Sequence, residues 1–231
     1  MLIFNLSYHR NATTSFHNYM EKMNITSLHN VSLILEKVTG IPNNILTPAD
    51  WLQSMWNLNE FIDKYSNDFI KFIKNSNYVA YSDNPLPLMY KILVKEFSDA
   101  KFILFKRNKE DWLNSVINYF GDTWTHFRRI LYDSNKNSDY WVQKYESHNN
   151  DVINYFRENN IELLVIDLDT KPNIEMELNN YLNISHKKSS HSKNKEQDFD
   201  LESEINSQEF VTFPRLNFTK KKVVPSMKEE N

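Results

Sequence analysis

Leu2-Ile3-Phe4-Asn5-Leu6-Ser7-Tyr8-His9-Arg10-Asn11-Ala12-Thr13-Thr14-Ser15 is the stretch whose change of character decides the fold. The apolar run 2–6 reads as a buried strand. It gives way to a basic turn at His9 and Arg10, then to Thr13-Thr14-Ser15, residue types that favour a helix start. Phe16, Tyr19, Met20 and Met23 recur at helical spacing and carry that helix over residues 13–24. A strand that enters a helix through a basic, hydroxyl-rich turn is suited to holding an anion. The first helical turn has N–H groups without intrahelical partners and the positive end of the dipole. A phosphate or sulfate set there meets backbone, hydroxyls and Arg10 together. The turn has no glycine and no Gly-Lys-Thr/Ser ending, so it does not read as a nucleoside-triphosphate loop.

Working outward, three further segments read as strands: 78–82, 101–106 (KFILFK) and 161–166 (IELLVI). Helices are expected over 28–38, 48–58, 60–75, 87–97, 110–120, 123–132, 140–159 and 174–182. The strands are continuously apolar rather than alternating, as expected when both faces are covered. The predicted fold is α/β: three layers, with a central, mostly parallel sheet flanked by helices. Ligands in such sheets bind beyond the carboxyl ends of the strands. Arg10, Asp83 and Arg107 each follow a strand and so share one sheet edge.

Composition narrows the class. The 231 residues, 40% of them hydrophobic, suffice for one core, and a single domain over 1–231 is expected. The polar stretch 185–209 reads as a flexible insertion, Phe210–Phe218 as a return to the core, and 220–231 as a tail. Net charge is −3, which supplies no global basic field, so no nucleic-acid partner is expected. Cysteine is absent, which removes disulfides and thiolate metal sites. No apolar run approaches a membrane span, and no basic, then apolar leader is seen; a cytoplasmic protein with no membrane partner is expected. Gly40 and Gly121 are the only glycines, while Asn and Lys abound, which reads as compositional bias. The tryptophans read as core, with Trp51 and Trp56 also suited to line a cleft. Oligomeric state is not legible.

A second anion-binding pattern follows the KFILFK strand: Arg107 stands eight residues before Ser115, which lies inside the next helix. Arginine suits bidentate anion binding, and the Ser115 hydroxyl is placed to reach the same anion. Each feature also has a plainer reading. Thr13-Thr14-Ser15 serves as a helix cap, Ser115 bonds its own backbone, and Asp83 before Asn84-Pro85 shapes a turn. These plainer readings do not account for the shared order and shared edge.

The chain resembles the sulfotransferases that use 3′-phosphoadenosine 5′-phosphosulfate (PAPS). His9-Arg10-Asn11-Ala12-Thr13-Thr14 is similar to their 5′-phosphosulfate loop, with Ala12 where Gly is common and Arg10 where Lys is frequent. Arg107 through Ser115 resembles their 3′-phosphate motif. Ser82-Asp83-Asn84-Pro85, Phe97 through Leu104, Leu178–Ile184 and Phe213-Pro214-Arg215-Leu216-Asn217 resemble further blocks of one branch. The resemblance spans roughly residues 2–183 and 210–219 in the expected order. It implies PAPS as donor, 3′,5′-ADP as product, no metal, and a small-molecule or glycan acceptor. It implies that Arg10, Asn11, Ala12, Thr13, Thr14 and Ser15 hold the 5′-phosphosulfate, and that Arg107 and Ser115 hold the 3′-phosphate. Arg10 would also neutralise charge developing in transfer. The base that accepts the acceptor's proton stays open: Asp83 first, then His29, then His9. A nucleotide kinase-like P-loop phosphotransferase and a non-catalytic nucleotide-binding protein on the same fold are the alternatives.

Overall fold

In a computed structural model, the described residues are 1–29, 36, 38, 58–120, 138–184 and 213. Five parallel strands form one sheet: β1 (Ile3–Asn5), β2 (Ser27–His29), β3 (Ala80–Ser82), β4 (Lys101–Lys106) and β5 (Leu164–Asp167), in the order β2-β3-β1-β4-β5. The helices are α1 (Thr13–Lys22), α2 (Leu58–Asn75), α3 (Tyr90–Glu96, entered through a 3₁₀ turn at Leu86–Met89), α4 (Lys109–Phe120), α5 (Ser138–Glu158) and α6 (Ile174–Leu182). The α/β expectation of a parallel sheet with helices on both sides is met. The helix expected at 48–58 (apart from Leu58), the helix at 123–132, and Trp51, Trp56 and Trp124 lie outside the described residues. So do the segments at 185–209 and 220–231.

Alternation along the strands feeds two cores. Phe4, Tyr81, Phe102 and Leu104 face one side and pack with Phe69 and Ile73 of α2, Leu93 of α3, and Val152 and Phe156 of α5. Ile3, Ala80, Ile103, Phe105 and Ile166 face the other, against Phe16, Tyr19 and Met20 of α1 and Leu178 of α6. Phe213 joins this second core, 5.7 Å from the Tyr19 ring and 5.6 Å from Phe105. Strands this short persist because both faces are covered: Phe4 and Phe102 through Phe105 are fully buried.

Two expectations are corrected. Leu28 and His29 were expected to begin a helix over 28–38, but they form edge strand β2, paired Ser27↔Ala80, Leu28↔Tyr81 and His29↔Ser82 with β3. A three-residue edge strand with polar ends has no period to read, and its pairing partner lies some fifty residues away. The last strand begins at Leu164 rather than Ile161, because Asn160 and Ile161 complete the end of α5. There Asn160 is left-handed (φ 55°), its N–H bonds the Arg157 carbonyl at 3.2 Å, and the Ile161 N–H bonds the Phe156 carbonyl at 2.9 Å. This is a Schellman cap.

The same cap ends α1 at Asn24 (φ 57°, with the Ile25 N–H to the Met20 carbonyl at 2.9 Å). It ends α6 at Asn183 (φ 54°, with the Ile184 N–H to the Asn179 carbonyl at 2.9 Å). In a chain with two glycines, asparagine takes the left-handed cap. Asn160→Ala should therefore lower unfolding free energy by about 1 kcal/mol, whereas Asn160→Gly should leave it nearly unchanged. Urea unfolding of both variants checks this, and equal losses would show that side-chain contacts rather than φ decide the position.

Candidate active site

The strand order creates the crevice. After β1 the chain turns to β2 on one side of the sheet, and after β4 it turns to β5 on the other. The carboxyl ends of β1 and β4 are thus neighbours whose following segments diverge, which is where open α/β sheets bind ligands. The loop after β1 and the loop after β4 meet there.

The β1 loop is anchored from below. Asn5 Oδ1 accepts from the Ser7 N–H (3.0 Å) and the Ser7 hydroxyl (2.5 Å), and Ser7 Oγ accepts from the Phe105 N–H at 2.6 Å. All of these groups are buried, so the loop root is fastened to β4 by bonds that water does not compete for. Higher up, the Tyr8 ring stacks on His148 at 4.0 Å, and His148 Nε2–H donates to the Leu6 carbonyl at 2.9 Å. The indole N–H of Trp112 donates to the His9 carbonyl at 3.0 Å. These contacts hold Arg10 and Ala12 in the left-handed region, at φ 65° and 57°. That conformation costs roughly 1–2 kcal/mol for a residue with a Cβ, and it is kept because the surroundings fix the loop at both ends.

The loop presents alternate residues. Asn11, Thr13 and Ser15 are buried, while Arg10, Ala12 and Thr14 keep part of their surface. Arg10 reaches across to α4: its Nε–H donates to Ser115 Oγ at 3.2 Å, and its guanidinium lies 4.2 Å from the centre of the Tyr119 ring. Burial lowers the Arg10 pKa, and Arg107 lowers it further, while Tyr119 acts the other way. Two guanidinium groups thus repel at the mouth of the crevice, a field that favours an anion. The two basic motifs, far apart in sequence, meet through the bond between Arg10 and Ser115.

Arg107 itself is set by its backbone. Its N–H donates to Tyr145 Oη at 3.0 Å, and its carbonyl lies 3.1 Å from the same hydroxyl. Asn108 caps α4, its Oδ1 accepting from the N–H groups of Glu110 and Asp111 at 2.9 and 3.2 Å, while its own N–H is held by Asp169.

A second cluster gathers at the ends of β2 and β3. Thr14 Oγ1 lies 3.2 Å from His29 Nε2, His29 Nδ1 lies 3.0 Å from Ser82 Oγ, and Asp83 Oδ2 is 4.0 Å from Nδ1. Ser82 Oγ is 3.5 Å from the Thr13 carbonyl, a weak but oriented donor. The consistent assignment has the His29 Nδ1–H donating to Ser82 and the Thr14 hydroxyl donating to Nε2. The other Asp83 oxygen accepts from the Asn84 N–H at 2.9 Å, so Asp83 does serve its turn while it faces the histidine. Of the residues read from sequence, His29, Asp83 and Thr14 come together, as do Arg10, Arg107 and Ser115. Three contributors were missed: Ser82, Trp112 as a loop anchor and Tyr145. Tyr145 carried one legible mark, its position four residues after the buried Trp141 on the same helix face.

Three histidines are held down in pKa to about 4. Burial is the main cause for each; Arg10 adds to it at His9 and His17 at His29, while at His148 the bond to Leu6 opposes it. Each is neutral at pH 7, and the unfolded chain binds protons near pH 6.5 that the folded chain refuses. Stability should thus be complete above about pH 6.5 and fall as pH drops toward about 4. Melting temperature measured from pH 7.5 to 4 checks the sign: a flat profile over this window would show that these rings are hydrated in the folded protein.

Comparison with curated proteins finds no match. The sulfotransferase domain family model matches residues 2–163, well over half of the chain. The matched span carries both arginine loops, the cluster of Thr14, His29 and Asp83, and Tyr145. The chain, with its two basic loops converging at the switch point of a parallel sheet, belongs to the sulfotransferase domain family.

Proposed function

We propose that the protein moves a sulfuryl group from PAPS to a hydroxyl or amine of a small-molecule or glycan acceptor, with 3′,5′-ADP as product. The observation that carries this reading is the Arg10 Nε–H on Ser115 Oγ at 3.2 Å, with Arg107 close enough to act on Arg10. Two cationic loops sharing one crevice suit a ligand with anions at two separated points, and the start of α1 adds N–H donors at one of them. Asn11 Nδ2, buried and without a hydrogen-bond partner, is a further donor in the same loop.

PAPS, when bound, supplies a sulfuryl group already activated by its anhydride link to phosphate. The chain's residues bind, orient and move one proton. Backbone N–H groups at Ala12–Ser15 hold the 5′ end, joined by the Thr14 hydroxyl, which turns from His29 Nε2 to the anion and so leaves that nitrogen open. Arg107 and Ser115 hold the 3′-phosphate, and Arg10 leaves Ser115 to face the transferring group. Positioning and charge compensation supply most of the acceleration, by analogy with phosphoryl transfer. His29 is the base that suits the geometry better than Asp83. It is neutral, its Nε2 points to Thr14 at the start of α1, and Asp83 stands 4.0 Å from its far nitrogen. The acceptor's proton goes to Nε2; Nδ1–H stays on Ser82, and Asp83 compensates the imidazolium. An anion beside Thr14 favours the protonated ring and raises the depressed pKa during the step. His9 ranks third, its ring held neutral by burial and by the charge of neighbouring Arg10, which disfavours an imidazolium.

Thermal shift with 3′,5′-ADP should stabilise the protein, by about 2.7 kcal/mol at a hundredfold excess over Kd, and ATP with Mg²⁺ should not. The reverse pattern would support the phosphotransferase reading. Arg107→Ala should weaken 3′,5′-ADP by about 10- to 100-fold and 5′-AMP far less; equal weakening would remove Arg107 from the 3′ site.

His29→Ala should lower kcat by about 10²- to 10⁴-fold with 3′,5′-ADP affinity retained. Full activity in that variant, with loss in Asp83→Ala, would move the base to Asp83. Binding of 3′,5′-ADP without transfer to any acceptor in a broad panel would favour the non-catalytic reading.

A further inference from the structure

The Tyr145 hydroxyl touches both arginine loops. It accepts from the Arg107 N–H at 3.0 Å, and its single proton lies within reach of the Arg107 carbonyl (3.1 Å) and of Asn11 Oδ1 (3.3 Å). Asn149, one turn along α5, is a further influence on the same hydroxyl. Tyr145 is 1% exposed and Asn11 fully buried, so these bonds form where water does not substitute for them. Burial raises the phenol pKa, so the group stays protonated and keeps its donor across the working range.

The ring is fixed as firmly as the hydroxyl. Tyr145 stacks on Trp112 with centroids 4.4 Å apart and planes 7° from parallel, and Trp112 is fully buried. The same indole donates to the His9 carbonyl, next to Arg10. The β1 loop is therefore held at His9 by Trp112 and at Asn11 by Tyr145, and the second of these also holds the β4 loop at Arg107. Arg10 lies between the two β1 contacts. Without the Tyr145 hydroxyl, the β1 loop stays tied to β4 and α4 through Ser7, Trp112 and the Arg10–Ser115 bond, but the tie between Asn11 and Arg107 is gone.

We infer that Tyr145 is a positioning residue: its hydroxyl links the Asn11 and Arg107 loops so that they bind as one site rather than two. This rests on the donor reading above for the identity of the ligand, but the linkage of the loops does not. A two-point ligand gains from the second contact only if the two points are held at a fixed separation; otherwise the loops must be ordered at binding.

The test compares wild type with Tyr145→Phe, which keeps the ring on Trp112 and removes only the hydroxyl. Hydrogen exchange of the ligand-free protein is the first measurement. Exchange should quicken about tenfold or more, both at the Arg107 amide and across residues 8–12, while Ile103 and Leu104 are unchanged. Faster exchange at Arg107 alone would overturn the linkage. Calorimetric titration with 3′,5′-ADP and 5′-AMP is the second. The preference for 3′,5′-ADP should drop about tenfold in Tyr145→Phe. A lower melting temperature with that preference intact would make Tyr145 merely structural and overturn the inference. If wild type shows no preference between the two nucleotides, the donor reading fails, and the exchange result still decides the linkage. If Tyr145→Phe does not fold, Asn11→Ala cuts the link from the loop side while keeping the Arg107 N–H on Tyr145, and it is read by hydrogen exchange alone: faster exchange at residues 8–12 and at the Arg107 amide supports the linkage, and an unchanged Arg107 amide would overturn it.

Discussion

Parallel pairing of Phe4 with Tyr81 on one side and Phe102 on the other is the constraint on which the rest of the structure depends. It makes β1 the middle strand and buries it on both faces. It also forces the segments after β1 and β4 to diverge, since each must return across a different half of the sheet. The crevice is the gap left by that divergence. Arg10, His29, Asp83 and Arg107 each stand at or just after a strand end whose height is set by the sheet register.

Charge is then concentrated rather than balanced. Arg10 and Arg107 are drawn to one mouth, against their mutual repulsion, by contacts that act on the backbone around them. Ser7 ties the loop root to β4, Trp112 holds the His9 carbonyl, and Tyr145 holds the N–H and the carbonyl of Arg107. Left-handed Arg10 and Ala12 show that the loop conformation is imposed by its neighbours. Glycine would adopt it freely; here buried hydrogen bonds offset the cost of a Cβ. The cluster around His29 is built differently. The parallel strands β2 and β3 and the start of α1 deliver His29, Ser82-Asp83 and Thr14 to one level, and a neutral imidazole results from burial with its hydroxyl partners in place.

Much of the architecture was legible because it rests on local chemistry. Continuous apolar runs at 2–6 and 101–106 can only be buried strands. Periodic apolar residues marked α1, α2, α4, α5 and α6, the last with its bounds unchanged. The basic and hydroxyl-rich character of residues 9–15 and of Arg107 through Ser115 also came from residue type and spacing. What was not legible is nonlocal. β2 is defined by its ladder to β3, not by any pattern in Ser27-Leu28-His29. The start of the last strand was misplaced because an asparagine, not a glycine, ended the helix before it.

The sequence by itself determined the class of fold, the sheet edge where the basic loops gather, and which residues carry charge there, because hydrophobic periodicity and side-chain chemistry are local properties. Only the tertiary structure decided that Arg10 rests on Ser115, that His29 stands between Thr14 and Asp83, and that Tyr145 joins the two loops. Those relations arise from strand order and from hydrogen bonds between segments up to 134 residues apart. Geometry of that kind is fixed by packing, which no local pattern contains.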